Sequence, residues 1–120
     1  MIQNPSGGLP YKLYSAILTQ TGTNPPVDTI LYNDTGAVPL WSYDSTGHYT
    51  AVFNGAIPDQ KATVLVGGTE RFDTGLGYGR QRATDAVVVN SVLLDGGFTG
   101  NPVLSDDVLQ LTSIEVHIYP

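Results

Sequence analysis

The chain has 120 residues, enough for one domain with its own hydrophobic core. It contains no cysteine, which excludes disulfides and thiolate metal sites. A net charge of −6 argues against general affinity for nucleic acids, and only 13% of the residues are charged, against roughly 25% in an average globular domain. A surface so poor in charge favours self-association, and a β-rich monomer with a neutral surface is the alternative.

Residues 1–10 are predicted to form a flexible arm, because Asn4-Pro5 and Ser6-Gly7-Gly8 disfavour regular structure. No basic segment followed by an apolar stretch indicates a secretory signal. No apolar run approaches the length that crosses a membrane. We therefore expect residues 11–120 to form one soluble domain without a membrane partner.

The first strand is predicted over Tyr11–Gln20, because apolar side chains alternate along both of its faces. One face carries Leu13 and Ile17, and the other carries Tyr14, Ala16 and Leu18. A strand with two apolar faces is either central in a sheet or lies at a contact between subunits. A second strand is predicted over Val27–Asn33.

A hairpin with one aromatic face is predicted over residues 40–55. Its turn is Asp44–Gly47, where short polar side chains bond to nearby backbone and the glycine accepts a positive φ. We expect the aromatic face to be core, and a solvent-exposed sugar-stacking platform is the alternative. This face carries Trp41, Tyr43, Tyr49, Ala51 and Phe53.

Further strands follow after this hairpin, separated by a glycine-spaced loop at Asp73–Gly79 and a long polar loop at Asp95–Asp107. The chain then has about seven or eight short strands and no convincing amphipathic helix. This pattern predicts an all-β fold, a single-domain sandwich of two sheets of the jelly-roll or immunoglobulin-like kind. These later strands are predicted at Lys61–Val66, Thr69–Phe72, Ala86–Leu94 and Val108–Tyr119, the last with Ile114, Val116 and Ile118 facing inward.

The glycine-spaced region holds all three arginines of the chain, Arg71, Arg80 and Arg82, around Tyr78. Guanidinium and phenol groups on one mobile loop could contact an anionic partner, a sugar or a neighbouring subunit. Solvated charges beside a turn are the alternative. We predict these four residues as a contact loop.

No catalytic, cofactor-binding or metal-binding residues are predicted. His48 and His117, the only histidines, fall on predicted outer faces without further ligands nearby. Asp34-Thr35-Gly36 matches the Asp-Thr-Gly of aspartic proteases, whose chemistry needs two carboxylates that share a proton. A dimeric protease using Asp34 is therefore a remote alternative, since Asn33 replaces the apolar residue expected before the aspartate.

Three segments resemble a family of short β-rich proteins of tailed bacteriophages. The segment 11–27, YKLYSAILTQTGTNPPV, is similar to the family's YKxYxxLLTQTGT opening and the PV that follows. Trp41 and the sequence Gly47-His48-Tyr49-Thr50 match its Trp/Tyr hairpin ending in GxYT. The closing segment 114–120, IEVHIYP, is similar to IEIRVYP, with His117 where arginine is usual.

The resemblance implies a virion component rather than an enzyme, such as a capsid decoration, head-fibre or tail-associated protein. Its implied partners are its own copies and other virion proteins. We expect a cyclic homo-oligomer, with a trimer as one case, that buries the second apolar face of the first strand. The main alternative is a carbohydrate-binding module that holds host-surface glycans through the Arg71–Arg82 loop.

Overall fold

Alternating apolar residues build two antiparallel sheets from the chain. A computed structural model describes residues 10–68, 75–94 and 102–120, and in these ranges it contains nine strands and no helix. None of the described residues forms a helix long and apolar enough to cross a membrane. The strands are β1 Lys12–Thr19, β2 Val27–Asn33, β3 Leu40–Ser45, β4 His48–Val52, β5 Ala62–Val66, β6 Gly75–Ala83, β7 Ala86–Leu94, β8 Pro102–Leu104 and β9 Thr112–Ile118.

The two sheets form a sandwich, which confirms the predicted all-β class. The four-stranded sheet has the order β2-β1-β9-β5, and the five-stranded sheet has the order β3-β4-β7-β6, with β8 paired to β7. At one side of the sandwich β5 packs against β6, so the sheets close on each other there. The edges β2 and β3 therefore lie on the opposite side.

The core contains the side chains that the period-2 alternation assigned to it. Tyr14 of β1 is fully buried, and its ring meets Phe53 edge-on at 5.1 Å between centroids. From the hairpin, Tyr49, Ala51 and Phe53 are fully buried and Trp41 is 7% exposed. The aromatic face of the hairpin is therefore core, as predicted, with Tyr43 half-buried at its end.

The hairpin turn requires its glycine. Gly47 has a φ of +66°, and a Cβ built there would lie 2.5 Å from the Ser91 carbonyl oxygen and 2.7 Å from the Ser105 nitrogen. Its own N–H donates to Asp106 Oδ1 at 2.9 Å. The turn is thus clamped between β7 and the chain that follows β8, where only a glycine fits.

The predicted glycine loop is wrong from Gly75 onward, because Gly75–Ala83 is strand β6. The glycines of β6 lie where β5 approaches: a Cβ on Gly77 would be 2.8 Å from Val66 Cγ1, and one on Gly79 would be 2.6 Å from Val64 Cγ1. Alternating glycines here allow valine side chains to pack directly on a backbone. Glycine spacing therefore indicates close packing, not a loop.

Other predicted boundaries need smaller corrections. β8 lies inside the predicted polar loop Asp95–Asp107, and the last strand begins at Thr112 rather than Val108. Val108 and Leu109 are nonetheless fully buried before that strand starts. The predicted arm up to residue 9 and the predicted strand Thr69–Phe72 lie outside the described residues.

Candidate functional site

The predicted contact residues lie on a strand. Tyr78, Arg80 and Arg82 are all exposed on β6. Tyr78 and Arg80 share its outer side, because every second residue of a strand points the same way, and Arg82 follows at a shift in register. Arg71 lies outside the described residues. The structure therefore groups three of the four residues, on a rigid sheet rather than on a mobile loop.

A line of polar side chains continues across the same outer face of the five-stranded sheet. Tyr78 is paired in register with Asn90 of β7, and Asn90 with His48 of β4. The Asn90 side-chain nitrogen lies 2.8 Å from His48 Nδ1, and His48 Nε2 lies 3.7 Å from Asp44 Oδ2. We call Asp44, His48, Asn90, Tyr78 and Arg80 the polar face.

Asp44 organises its end of the polar face. Its carboxylate accepts hydrogen bonds from the Ser42 hydroxyl at 3.1 Å and from the Thr50 hydroxyl. The Asn90 amide can donate to His48 Nδ1, which would leave the proton on Nε2, toward Asp44. Charged, phenolic and amide groups on one face of a sheet offer hydrogen-bond donors and acceptors to a polar ligand.

Asp34 has the contacts of a turn residue. Its Oδ1 accepts from the Leu13 N–H at 2.7 Å, and its Oδ2 accepts from the Tyr32 hydroxyl at 3.1 Å. The second bond and the negative charge raise the pKa of Tyr32. Asp34 is exposed, and Gly36 takes a φ of +90°. This arrangement closes the chain after β2, with both carboxylate oxygens of Asp34 bonded within the chain.

His117 lies on the outer face of the other sheet. Its ring stacks on Tyr11 with centroids 4.2 Å apart, and its Nε2 lies 2.7 Å from Glu115 Oε1. Both histidines thus contact a carboxylate, and no group of three or more metal-ligating side chains occurs in residues 10–68, 75–94 and 102–120. The predicted outer-face positions of the two histidines are confirmed.

A buried polar group holds the ends of several strands together. Gln20 is fully buried: its Oε1 accepts from the Tyr49 hydroxyl at 2.8 Å and from the Asp107 N–H at 2.9 Å. Its Nε2 donates to the carbonyls of Gly22 and Asn24. Burial raises the pKa of Tyr49 to about 12. Because every donor and acceptor of the Gln20 side chain is used, the group has a structural role.

The opposite side of the sandwich shows a different surface. β2 is an edge strand, and Val27 and Leu31 are 69% and 63% exposed. Ile30, which faces the core side, is still 39% exposed. β2 thus extends beyond the cover that the second sheet provides. We call strand Val27–Asn33 the β2 edge.

One hydrogen-bond chain fixes the β2 edge to the core. The Tyr14 hydroxyl donates to Asp28 Oδ2 at 2.6 Å, and Trp41 Nε1 donates to the Tyr14 oxygen at 3.4 Å. Burial, followed by the bond to Asp28, raises the pKa of Tyr14 well above its usual value. The only acidic side chain on the β2 edge is therefore already engaged within its own chain.

No known protein family, curated protein or solved structure matches this chain. The case for a function therefore depends on the two surfaces. Sequence reasoning found Tyr78 and Arg80 but missed Asn90, which pairs with Tyr78, and Asp44 at the other end of the polar face, because strand register is not visible in the sequence. Sequence reasoning also missed the β2 edge, because apolar and polar residues alternate along Val27–Asn33 as they do in any half-buried strand. The signal that could have placed β6 correctly is the period-2 spacing of Gly75, Gly77 and Gly79.

Proposed function

We propose that this chain is a non-enzymatic structural subunit of a tailed-phage virion, which assembles with its own copies through its β-sandwich. The observation that carries the proposal is the β2 edge. An edge strand presents unpaired backbone donors and acceptors to other chains. Among the residues that the structure describes, no strand pairs with the outer side of β2. Here the strand also exposes Val27, Leu31 and Tyr32 on a surface poor in charge.

The segments that resemble phage proteins support the proposal through their positions. The opening segment forms β1, and the closing segment forms β9, its antiparallel neighbour. Trp41 of the hairpin bonds to Tyr14 of the opening segment, and Tyr49 bonds to its Gln20. The matching residues thus form one connected framework.

The proposal covers a capsid decoration, a head fibre or a tail-associated subunit. In each of these places a small domain is repeated by symmetry and contacts its own copies and other virion proteins. The second apolar face of β1 contributes Leu13 and Ile17, which remain half-buried on the outer side of the four-stranded sheet. A cyclic oligomer, such as a trimer, would cover them.

Locating the protein tests the proposal directly. Particles of the phage that encodes the chain are purified by density gradient, and tagged protein is located by immunogold electron microscopy and quantified by mass spectrometry. We expect a fixed copy number per particle at one place on the virion. Abundant protein in the infected-cell lysate, together with none in purified particles, would overturn the proposal.

The polar face supports a second function, binding of host-surface glycans. The observation that favours it is that Tyr78 and Arg80 share one rigid face with Asn90 and His48. An aromatic ring that is 49% exposed can stack on a sugar, while the amide and guanidinium groups bond to its hydroxyls or carboxylate. Glycan-array binding that Tyr78→Ala abolishes and Tyr119→Ala preserves is the expected result. Equal binding by both variants would refute this role.

A further inference from the structure

The hydrogen bonds of the four-stranded sheet reveal which backbone groups of β2 face outward. On β9, Ser113 accepts from the Gly67 N–H at 2.8 Å, and Tyr119 donates to the Lys61 carbonyl at 2.7 Å. The odd-numbered residues of β9 therefore direct their backbone groups toward β5. Since these groups alternate along a strand, the even-numbered residues of β9 face β1.

The same alternation continues to β2. Even-numbered residues of β9 pair with even-numbered residues of β1, so the backbone groups of these β1 residues point toward β9. The backbone groups of the odd-numbered residues of β1 therefore point toward β2. The Asp34 N–H, which donates to the Leu13 carbonyl at 3.1 Å, agrees with this assignment. Opposite Ile17 and Thr19 lie Thr29 and Val27, which use their backbone groups on β1. Asp28 and Ile30 alternate with Val27 and Thr29 along β2, so their backbone N–H and C=O groups point away from the sheet.

This outward-facing stretch has two sharp limits. On one side Pro26 has no N–H to donate. On the other side the register with β1 shifts: Ala16 pairs with Ile30 and Ser15 with Tyr32, so Leu31 is an extra residue in a bulge. A partner strand thus finds a regular ladder only at Asp28 and Ile30.

We propose that β2 pairs antiparallel with β2 of a second copy, about a two-fold axis at Thr29. In this register Asp28 of each copy lies opposite Ile30 of the second copy, which forms about four backbone hydrogen bonds. Val27 then lies opposite Leu31 of the second copy, at the end of the regular ladder, so the two most exposed large hydrophobic side chains of the strand cover each other. The two four-stranded sheets become one continuous sheet.

The charges of the strand favour a second copy as the occupant. Two identical strands repel each other when like charges meet across them. On β2 the one charged residue is Asp28, whose carboxylate is bonded to the Tyr14 hydroxyl on the same chain. The other edge on this side, β3, also follows a proline and has a shift in register, but its aspartate, Asp44, is exposed, whereas Asp28 is half-buried. An exposed charge is one of the features that protect an edge strand.

This inference rests on the proposed assembly through the β-sandwich, and a single cysteine tests it. The chain contains no cysteine, so Thr29→Cys introduces the only thiol. In the proposed register the two Thr29 positions form a non-hydrogen-bonded pair with Cα atoms about 4.5 Å apart, which a disulfide spans. The matched control is Thr63→Cys, an exposed threonine on β5, the opposite edge of the same sheet.

Under mild oxidation at micromolar concentration we expect Thr29→Cys to form a covalent dimer at least tenfold faster than Thr63→Cys. By light scattering the native chain should have the mass of a dimer or a multiple of it. Leu31→Lys should lower that mass to a monomer, while Leu65→Lys, a change at a leucine of β5 that is 53% exposed against 63% for Leu31, should leave it unchanged. Equal oxidation rates, a monomeric native chain or a trimer mass would overturn the pairing.

These outcomes are separate from those of the proposed function. A chain found in purified particles that fails the cross-linking test retains its place in the virion and loses this interface. A chain that cross-links through Thr29→Cys but is absent from particles retains the interface and loses the virion role.

Discussion

Gly79 provides a direct test of how the two sheets close on each other. Substitution by alanine places a Cβ 2.6 Å from Val64 Cγ1 and 3.0 Å from the Val88 carbonyl oxygen. The first distance is far below van der Waals contact, so Val64 must move. The second involves the backbone of the central strand β7, which cannot move without disturbing its neighbours on both sides.

The expected cost follows from two opposing effects. Overpacking a well-packed interior costs about 1–3 kcal/mol. Replacing glycine with alanine also restricts the unfolded chain, which stabilises a protein by about 0.4–1 kcal/mol where the backbone fits. Gly68→Ala measures the second effect alone, because Gly68 is exposed and has no atom within 4 Å of an added Cβ. We expect Gly79→Ala to be about 1–3 kcal/mol less stable than Gly68→Ala.

Urea unfolding followed by Trp41 fluorescence measures this difference, since Trp41 is 7% exposed in the folded chain. Adding Val64→Ala to Gly79→Ala removes the closest clash. The free energies of unfolding should then show a favourable coupling of about 0.5–3 kcal/mol between the two changes. Equal stability of Gly79→Ala and Gly68→Ala, or no coupling with Val64→Ala, would refute the close packing of β5 on β6.

Three further predictions concern single residues. Gly47→Ala should lower the free energy of unfolding in urea by on the order of 3 kcal/mol or more, because the added Cβ would lie 2.5 Å from the Ser91 carbonyl oxygen. Gly22→Ala, at a similar φ of +58° but with nothing within 4 Å of the added Cβ, should lower it by only about 1–2 kcal/mol. The pKa of Tyr49 is about 12 in the folded chain and about 10 in the unfolded chain. The contribution of Tyr49 to the free energy of unfolding should therefore be constant below pH of about 10 and decrease between pH of about 10 and about 12. Tyr49→Phe should show a smaller decrease over this range. The backbone N–H groups of Ile57 and Gly55 donate to the Asp85 carboxylate and lower its pKa. The stability that this carboxylate contributes should therefore be lost as the pH falls below about 4, and acid unfolding of Asp85→Asn should lack that loss.

The sequence predicted the core well, because a strand with one buried face repeats its environment every second residue. Trp41, Tyr49 and Phe53 follow this rule, and all are core. The sequence-based prediction misplaced β6 because glycine has two different structural roles in this chain. At Gly47 it permits a positive φ in a turn, whereas at Gly79 it makes room for Val64. The partner that distinguishes the two cases is distant in sequence.

The candidate surfaces were less predictable for a related reason. Tyr78 and Arg80 are visible as an unusual pair of residues, but Asn90 and Asp44 join them only through the register of β6, β7, β4 and β3. The β2 edge depends on strand order, since Val27–Asn33 would have been covered had another strand lain beside it. Both surfaces depend on which strands pair and in which register, and the alternation of apolar residues along the sequence does not show either.

The two surfaces are placed so that both can be used at once. The β2 edge lies at one end of the four-stranded sheet, and β5 lies at the other end, where β6 packs against it. Tyr78 and Arg80 on β6 are therefore on the far side of the molecule from Thr29. Pairing through β2 would leave the Tyr78 and Arg80 end of each polar face at an outer end of the dimer. Two glycan sites on one rigid dimer would bind a host surface more tightly than either site alone, because the second contact becomes intramolecular. Loss of pairing in Leu31→Lys should then weaken binding to a glycan-coated surface while binding to a soluble monovalent glycan stays the same.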